Sequence, residues 1–135
     1  MIFVDTSFWV ALRLRRDARH SAAASLWREH ANVGLVTTEL VRGETWTFLR
    51  RRAGHAAAVD FLDALGSSER ITILPLPPET DATALRWLRQ RDDREYSYVD
   101  ATSFIAMRAR RIGEALAFDG DFAAAGFVEL RPQDP

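Results

Sequence analysis

Two short apolar runs in this 135-residue chain, Ile2-Phe3-Val4 and Ala115-Leu116-Ala117-Phe118, each end on an aspartate, Asp5 and Asp119. Two further acids interrupt stripes of helical period. Glu44 falls between Leu40, Val41 and Phe48, and Asp100 falls on the stripe of Phe104 and Met107. At ~100° per residue, both stripes are expected to face the core, where an unpaired carboxylate costs several kcal/mol. Four such acids repel one another, so their convergence requires a cation, and ligation by oxygen alone suits Mg²⁺ or Mn²⁺. A cluster of this kind polarises a phosphodiester, lowers the pKa of a water for attack on phosphorus and stabilises the departing oxygen. Hydrolysis of a phosphodiester is the simplest reaction that follows.

Each acid also has a purely structural reading. Asp5 and Asp119 stand where turns and helix caps begin, with Thr6 and Ser7 competing for the cap after Asp5. Ser97 and Asp100 have the spacing of a capping box. Glu44 has Arg108 as a conceivable internal partner. Asp121 is either a fifth ligand or part of an Asp-Gly-Asp turn. What favours chemistry is the conjunction, since strand ends and early helix positions can share one edge of a parallel sheet.

The elements that would bring the acids together are legible as alternation. Apolar stretches at residues 2–4, 34–37, 71–76, 115–118 and 128–130 read as strands, and residues 7–14, 20–30, 40–52, 56–65, 79–89 and 98–110 read as helices. Alternation of this kind predicts a three-layer α/β/α sandwich around a central, mostly parallel sheet, in which ligands bind beyond the strand carboxyl ends. No repeat or linker interrupts the pattern, so residues 1–135 are expected to form one domain.

Composition narrows the chemistry. The chain has no cysteine, which removes thiol nucleophiles and zinc-thiolate sites. All 18 basic residues are arginine, so a P-loop or the phosphate-sensing site of a receiver domain would lack its lysine. Net charge is −1 and gives no global pull toward nucleic acid; the arginine clusters at 13–19, 50–52 and 108–111 are solvated helix faces or local phosphate guides. His20, His30 and His55 have no partner at ligand spacing and are expected at the surface, and Trp46 and Trp87 are expected to pack. No serine sits in a nucleophile elbow. With no membrane span or leader in the pattern, the chain is expected to be soluble and cytoplasmic.

Val4-Asp5-Thr6-Ser7, Thr37-Thr38 through Val41 to Glu44, Tyr98-Val99-Asp100-Ala101, and Leu116-Ala117-Phe118-Asp119 with Phe122 and Gly126-Phe127 together resemble the PIN-domain ribonucleases, above all the VapC-type toxins of bacterial toxin–antitoxin pairs. The resemblance covers essentially the whole chain in the right order. It implies that Asp5, Glu44, Asp100 and Asp119 form the acidic quartet, that Thr6 and Ser97 orient it, and that Asp121 is an optional fifth acid. It also implies a homodimer, a cognate VapB-type antitoxin that blocks the site, and structured RNA such as tRNA or rRNA as substrate. Phe8, Trp9, Leu12, Leu14, Leu26 and Trp27 exceed what a small core obviously needs and could offer an apolar surface for that antitoxin, although core packing is the commoner fate of such residues. Glu39 departs from the pattern, standing where a small polar residue is common.

The expected activity is thus a metal-dependent endoribonuclease. The rivals are a phosphatase, which would need a second aspartate where Ser7 stands, and a binding module that keeps the acids without cleaving.

Overall fold

A computed structural model describes residues 1–133 of the chain. Five parallel strands, β1 (Ile2–Val4), β2 (Leu35–Thr38), β3 (Ile71–Leu74), β4 (Glu114–Leu116) and β5 (Val128–Glu129), lie in the order β3-β2-β1-β4-β5. Register is set by Phe3 opposite Val36 on one side and opposite Ala115 on the other. Strand β1 is therefore central and apolar throughout, as a parallel strand covered on both faces must be. Seven helices flank the sheet among the described residues: α1 (Thr6–Arg13), α2 (His20–Glu29), α3 (Glu39–Ala53), α4 (His55–Ser67), α5 (Glu79–Gln90), α6 (Tyr98–Ala109) and α7 (Asp121–Ala124). The three-layer α/β/α expectation holds, and the sheet is wholly rather than mostly parallel.

The strand order matters more than the strand count. The chain winds outward from β1 through β2 to β3, then returns to the other side of β1 with β4 and β5. The reversal lies between β1 and β4, and a crevice opens at their carboxyl ends because the connections leave in opposite directions. Asp5 follows β1 directly, and Asp119 follows β4 by three residues.

Several boundaries differ from the sequence reading for identifiable reasons. Strand β3 ends at Leu74, before Pro75, which has no N–H for a ladder. Strand β4 stops at Leu116, because the Phe118 N–H donates to the Ser7 hydroxyl at 3.1 Å instead of to a strand. The short helix α7 carries no full stripe of apolar residues and went unpredicted. Gly54, at φ 95°, separates α3 from α4 with a backbone that a side chain would strain.

The aromatic residues at one end of the core hold α6 in place. Phe104 is fully buried, with ring centroids 5.2 Å from Trp87, 5.9 Å from Tyr96, 4.8 Å from Phe122 and 5.6 Å from Phe127. This settles Trp87 as a packing residue and ties α5, α6 and α7 together one turn below Asp100. Phe104→Ala is expected to cost ~3–5 kcal/mol. Urea unfolding measures this, and a loss below about 1 kcal/mol would contradict the packing described.

Candidate metal centre

Asp5 ends the central strand and begins α1 at once. Its carboxylate caps the helix, accepting from the Ser7 N–H at 3.1 Å and the Ser7 hydroxyl at 2.8 Å. The capping competition expected of Thr6 and Ser7 thus resolves in favour of Asp5 itself, and Ser7 becomes its anchor, linked onward to Phe118 in the β4 loop. Only 2% of Asp5 is exposed. Burial, reinforced by the negative charge of Asp119 and Asp100, pushes its pKa up to about 8.

Asp100 occupies the first turn of α6. Its capping box is complete: the Asp100 N–H donates to the Ser97 hydroxyl at 2.9 Å, and the Ser97 N–H donates to the Asp100 carboxylate at 3.0 Å. The cap does not exhaust the acid. Burial, with Asp119 and Asp121 alongside, raises its pKa to about 6 even against the Ser97 hydrogen bonds. Asp119 stands on the more open side, and partial desolvation, Asp121 and Glu129 raise its pKa as well.

Carboxylate oxygens of Asp100, Asp119 and Asp121 all lie within 4.8 Å of one another. Asp121 therefore belongs to the tightest acidic group, ahead of the optional status it had in the sequence reading. Two clamps hold the turn that carries it. Arg94 donates to the Asp121 carboxylate at 2.8 Å and to the Asp119 carbonyl at 2.9 Å. From the other side, Glu129 accepts from the Gly120 N–H at 3.2 Å and the Ala123 N–H at 3.0 Å. Gly120, at φ 85°, leaves room for the Arg94 guanidinium, which a Cβ would approach to 3.1 Å. Arg94 and Glu129 are contributors that sequence reasoning missed, since neither lies near the acids it serves in an interpretable pattern; Ser7, read from the sequence only as a rival cap, is the partner of Asp5.

Glu44 requires a correction. The buried face of α3 is Val41, Thr45 and Leu49, not the Leu40, Glu44 and Phe48 stripe one position earlier. Glu44 is half-buried, and Phe48 is 38% exposed. Both line the wall of the same cleft of about 540 Å³ that Asp5, Asp100 and Asp119 line. Glu44 thus faces the site across open space and is not forced into the core. Arg108, offered as its internal partner, instead donates to the Ala125 carbonyl at 3.0 Å.

Of the two fates open to the apolar residues of α1 and α2, the structure shows core packing. Phe8, Trp9 and Leu26 are buried, and Leu12, Leu14 and Trp27 pack partly buried against the same core. His20 is half-buried rather than at the surface, its Nδ1 2.8 Å from the Ala11 carbonyl, and no histidine lines the cleft. Glu39 is exposed in the first turn of α3, outside the cleft lining.

The donor set fits a hard divalent cation. It is all oxygen, and neighbouring carboxylates help raise the pKa values of Asp5, Asp100 and Asp119. Thr6, which also lines the cleft, buries a hydroxyl with no partner.

Comparison with known proteins then decides the family. The model of the PIN domain matches residues 2–128. The chain belongs to the PIN-domain family. A relative from Mycobacterium tuberculosis, the 23S rRNA-specific endonuclease VapC20, is 51% identical over 133 residues, spanning 98% of this chain and 100% of its own, in each of two strains. The crystal structure of Mycobacterium tuberculosis VapC20, described as a sarcin-ricin loop cleaving toxin, superposes with a TM-score of 0.92 at 49% identity, covering 98% of this chain and 100% of that one. Among the described residues, no helix is long and apolar enough to cross a membrane.

The electrostatics of this PIN-domain site fix the sign of a pH effect. Asp5 has a folded pKa of about 8, against ~3.9 for a free aspartate, so the folded state holds more protons than the unfolded state between those values. Stability of the cation-free protein is then highest below the lower value and falls as pH rises toward the higher one. In EDTA, Asp5→Asn, which keeps a good helix cap, is expected to melt progressively higher than the wild type between pH 5 and pH 9. Parallel melting curves across that range would contradict the assigned burial.

Proposed function

We propose that this PIN-domain protein is a divalent-metal-dependent endoribonuclease acting on structured RNA, and that it is the toxin of a toxin–antitoxin pair. The observation that carries this reading is the meeting of Asp100, Asp119 and Asp121, with Asp5 lining the same cleft, at the point where the sheet reverses its winding. Full-length similarity to a 23S rRNA-specific endonuclease, whose crystal structure is described as that of a sarcin-ricin loop cleaving toxin, supports the sarcin-ricin loop of 23S rRNA as the substrate. The toxin named in that description supports a cognate antitoxin as partner; its VapB type, action in the cytoplasm and a homodimeric assembly rest on the family resemblance and belong to the same proposal.

Asp100, Asp119 and Asp121, with Asp5 behind them, are the residues that would hold Mg²⁺ or Mn²⁺, and Glu44 closes the cleft from α3. A bound cation of this kind supplies positive charge for the phosphoryl oxygens and a more acidic water. The chain does the rest. Ser97 fixes the Asp100 rotamer, Ser7 fixes Asp5, and Arg94 and Glu129 hold the Asp119–Asp121 turn, so the acids are oriented before RNA arrives. The Thr6 hydroxyl lies buried without a partner beside the cleft.

The phosphatase alternative fails on Ser7. That residue stands where a second aspartate is needed, and its hydroxyl is committed to Asp5 and Phe118.

Incubating 23S rRNA with the purified protein and Mn²⁺ is expected to give one cut within the sarcin-ricin loop. Asp5→Asn and Asp100→Asn are each expected to fall below about one-hundredth of that activity, beyond the loss usual for an outer-shell partner of a metal ligand. Full cleavage in excess EDTA, or by the Asp5 variant, would overturn the mechanism; a wild-type protein that leaves rRNA intact but cuts another RNA would overturn the substrate.

A further inference from the structure

Phe48 is an anomaly that the acid site does not absorb. Among the described residues it is the one exposed large hydrophobic side chain that lines the acidic cleft; Met1, Leu62, Tyr98 and Val128 lie elsewhere. Exposure of an aromatic ring to water is unfavourable, and α3 has a separate buried face, so packing does not account for its position. Glu44, Phe48 and Arg52 recur every four residues and share one side of α3, each ~6 Å further along the axis from the acids. The Arg52 guanidinium sits over the Phe48 ring, 4.5 Å from its centroid. Glu44, Phe48 and Arg52 all line the cleft, and Phe48 and Arg52 continue with Arg51 into a neighbouring depression. Arg52 also borders the hollow that carries Arg13, Arg15 and Arg16.

We infer that the Phe48–Arg52 ledge is a nucleobase subsite: an unpaired base beside the scissile phosphate stacks on Phe48 while Arg52 takes an adjoining phosphate. This rests on the reading of the protein as a ribonuclease and adds to it the contact that selects a flipped-out nucleotide. Three features favour RNA over a protein segment as the occupant. The ring opens onto the same cleft as the catalytic acids, so a strand threaded through those acids must pass it. Its surroundings are arginine-rich, which suits a polyanion. Base stacking on an aromatic side chain with an arginine alongside is a recurrent mode of holding single-stranded nucleotides. Because the ring reads an unstacked base and not a helix, it would favour loops over duplexes. The arginines at 13–16 and 51–52, left as solvated faces or phosphate guides by the sequence alone, then line the route by which the rest of the RNA leaves the site.

The test uses the full chain carrying Asp5→Asn, so that RNA binds without being cut, and a synthetic sarcin-ricin hairpin as the probe. Adding Phe48→Ala is expected to weaken binding about tenfold, the size of one base–aromatic stack, whereas Phe48→Trp retains it. Hairpins with a single abasic nucleotide are then compared. One abasic position next to the cleaved phosphate is expected to weaken binding to the Phe48 form by the same factor and to leave the Phe48→Ala form unaffected, because the stack is already lost. Equal affinities of the Phe48 and Phe48→Ala forms would overturn the proposal. So would a Phe48→Ala loss that persists with every abasic hairpin, or one seen only in binding a cognate antitoxin. Thermal melting confirms that the variants are folded. Cleavage of the intact hairpin by the wild type, run in parallel, judges the proposed cleavage separately: uncut hairpin with base-dependent binding overturns cutting of this loop and leaves the subsite standing.

Discussion

The structure is organised around the mutual repulsion of carboxylates at the carboxyl end of β1. That strand is central, so its end is a deep point of the sheet edge, and the acid placed there is nearly sealed from water. Asp100 and Asp119 add charge beside it, and Asp121 adds more. Apolar packing alone would place a neutral residue at such a position. The fold instead keeps the acids and fixes them with hydrogen bonds, which gives a site that gains most from a small, hard cation.

The supports follow from that constraint. Each acid is a structural residue as well as a candidate ligand: Asp5 caps α1, Asp100 completes a capping box, and Asp119 accepts from the Asp121 N–H at 3.2 Å in its own turn. The second function therefore comes with little added conformational freedom to lose. Arg94 partly offsets the charge from the rim, where its side chain is 41% exposed, so it steadies Asp121 without filling the interior of the site. The cleft carries Arg19 and Arg52 as well as its acids, so a net charge of −1 is compatible with the polyanionic substrate of the proposed reading.

Much of this was legible from residue order alone. Parallel strands buried on both faces are apolar, so an aspartate closing Ile-Phe-Val marks a strand end, and the alternation of elements gives the sheet edge where ligands gather. What misled was the choice of core face on α3. Glu44 drew attention because Leu40 and Phe48 flank it, yet the true core stripe of α3 is Val41, Thr45 and Leu49, with a threonine in its middle that masks the pattern. Adjacent stripes differ by ~100°, and one polar residue in the buried stripe was enough to shift the reading to its neighbour. Asp5, by contrast, reads equally as a turn or cap former and proves the most deeply set. Its depth depends on which strands flank β1, a fact of strand order that local pattern does not contain. Arg94 and Glu129 were invisible for a similar reason, since their contacts join segments brought together only by folding. For Asp5 and Asp100, the structural and chemical readings of an acid turned out not to compete at all.

The claim on which the account depends is that these acids hold a divalent cation. Diffraction from crystals grown with Mn²⁺, collected at a wavelength where manganese scatters anomalously, tests it directly. The account predicts an anomalous peak in the cleft in contact with the carboxylates of Asp100 and Asp119, lost from crystals of an Asp100→Asn variant. A cleft without manganese at millimolar Mn²⁺, or a peak that persists in that variant, would contradict it.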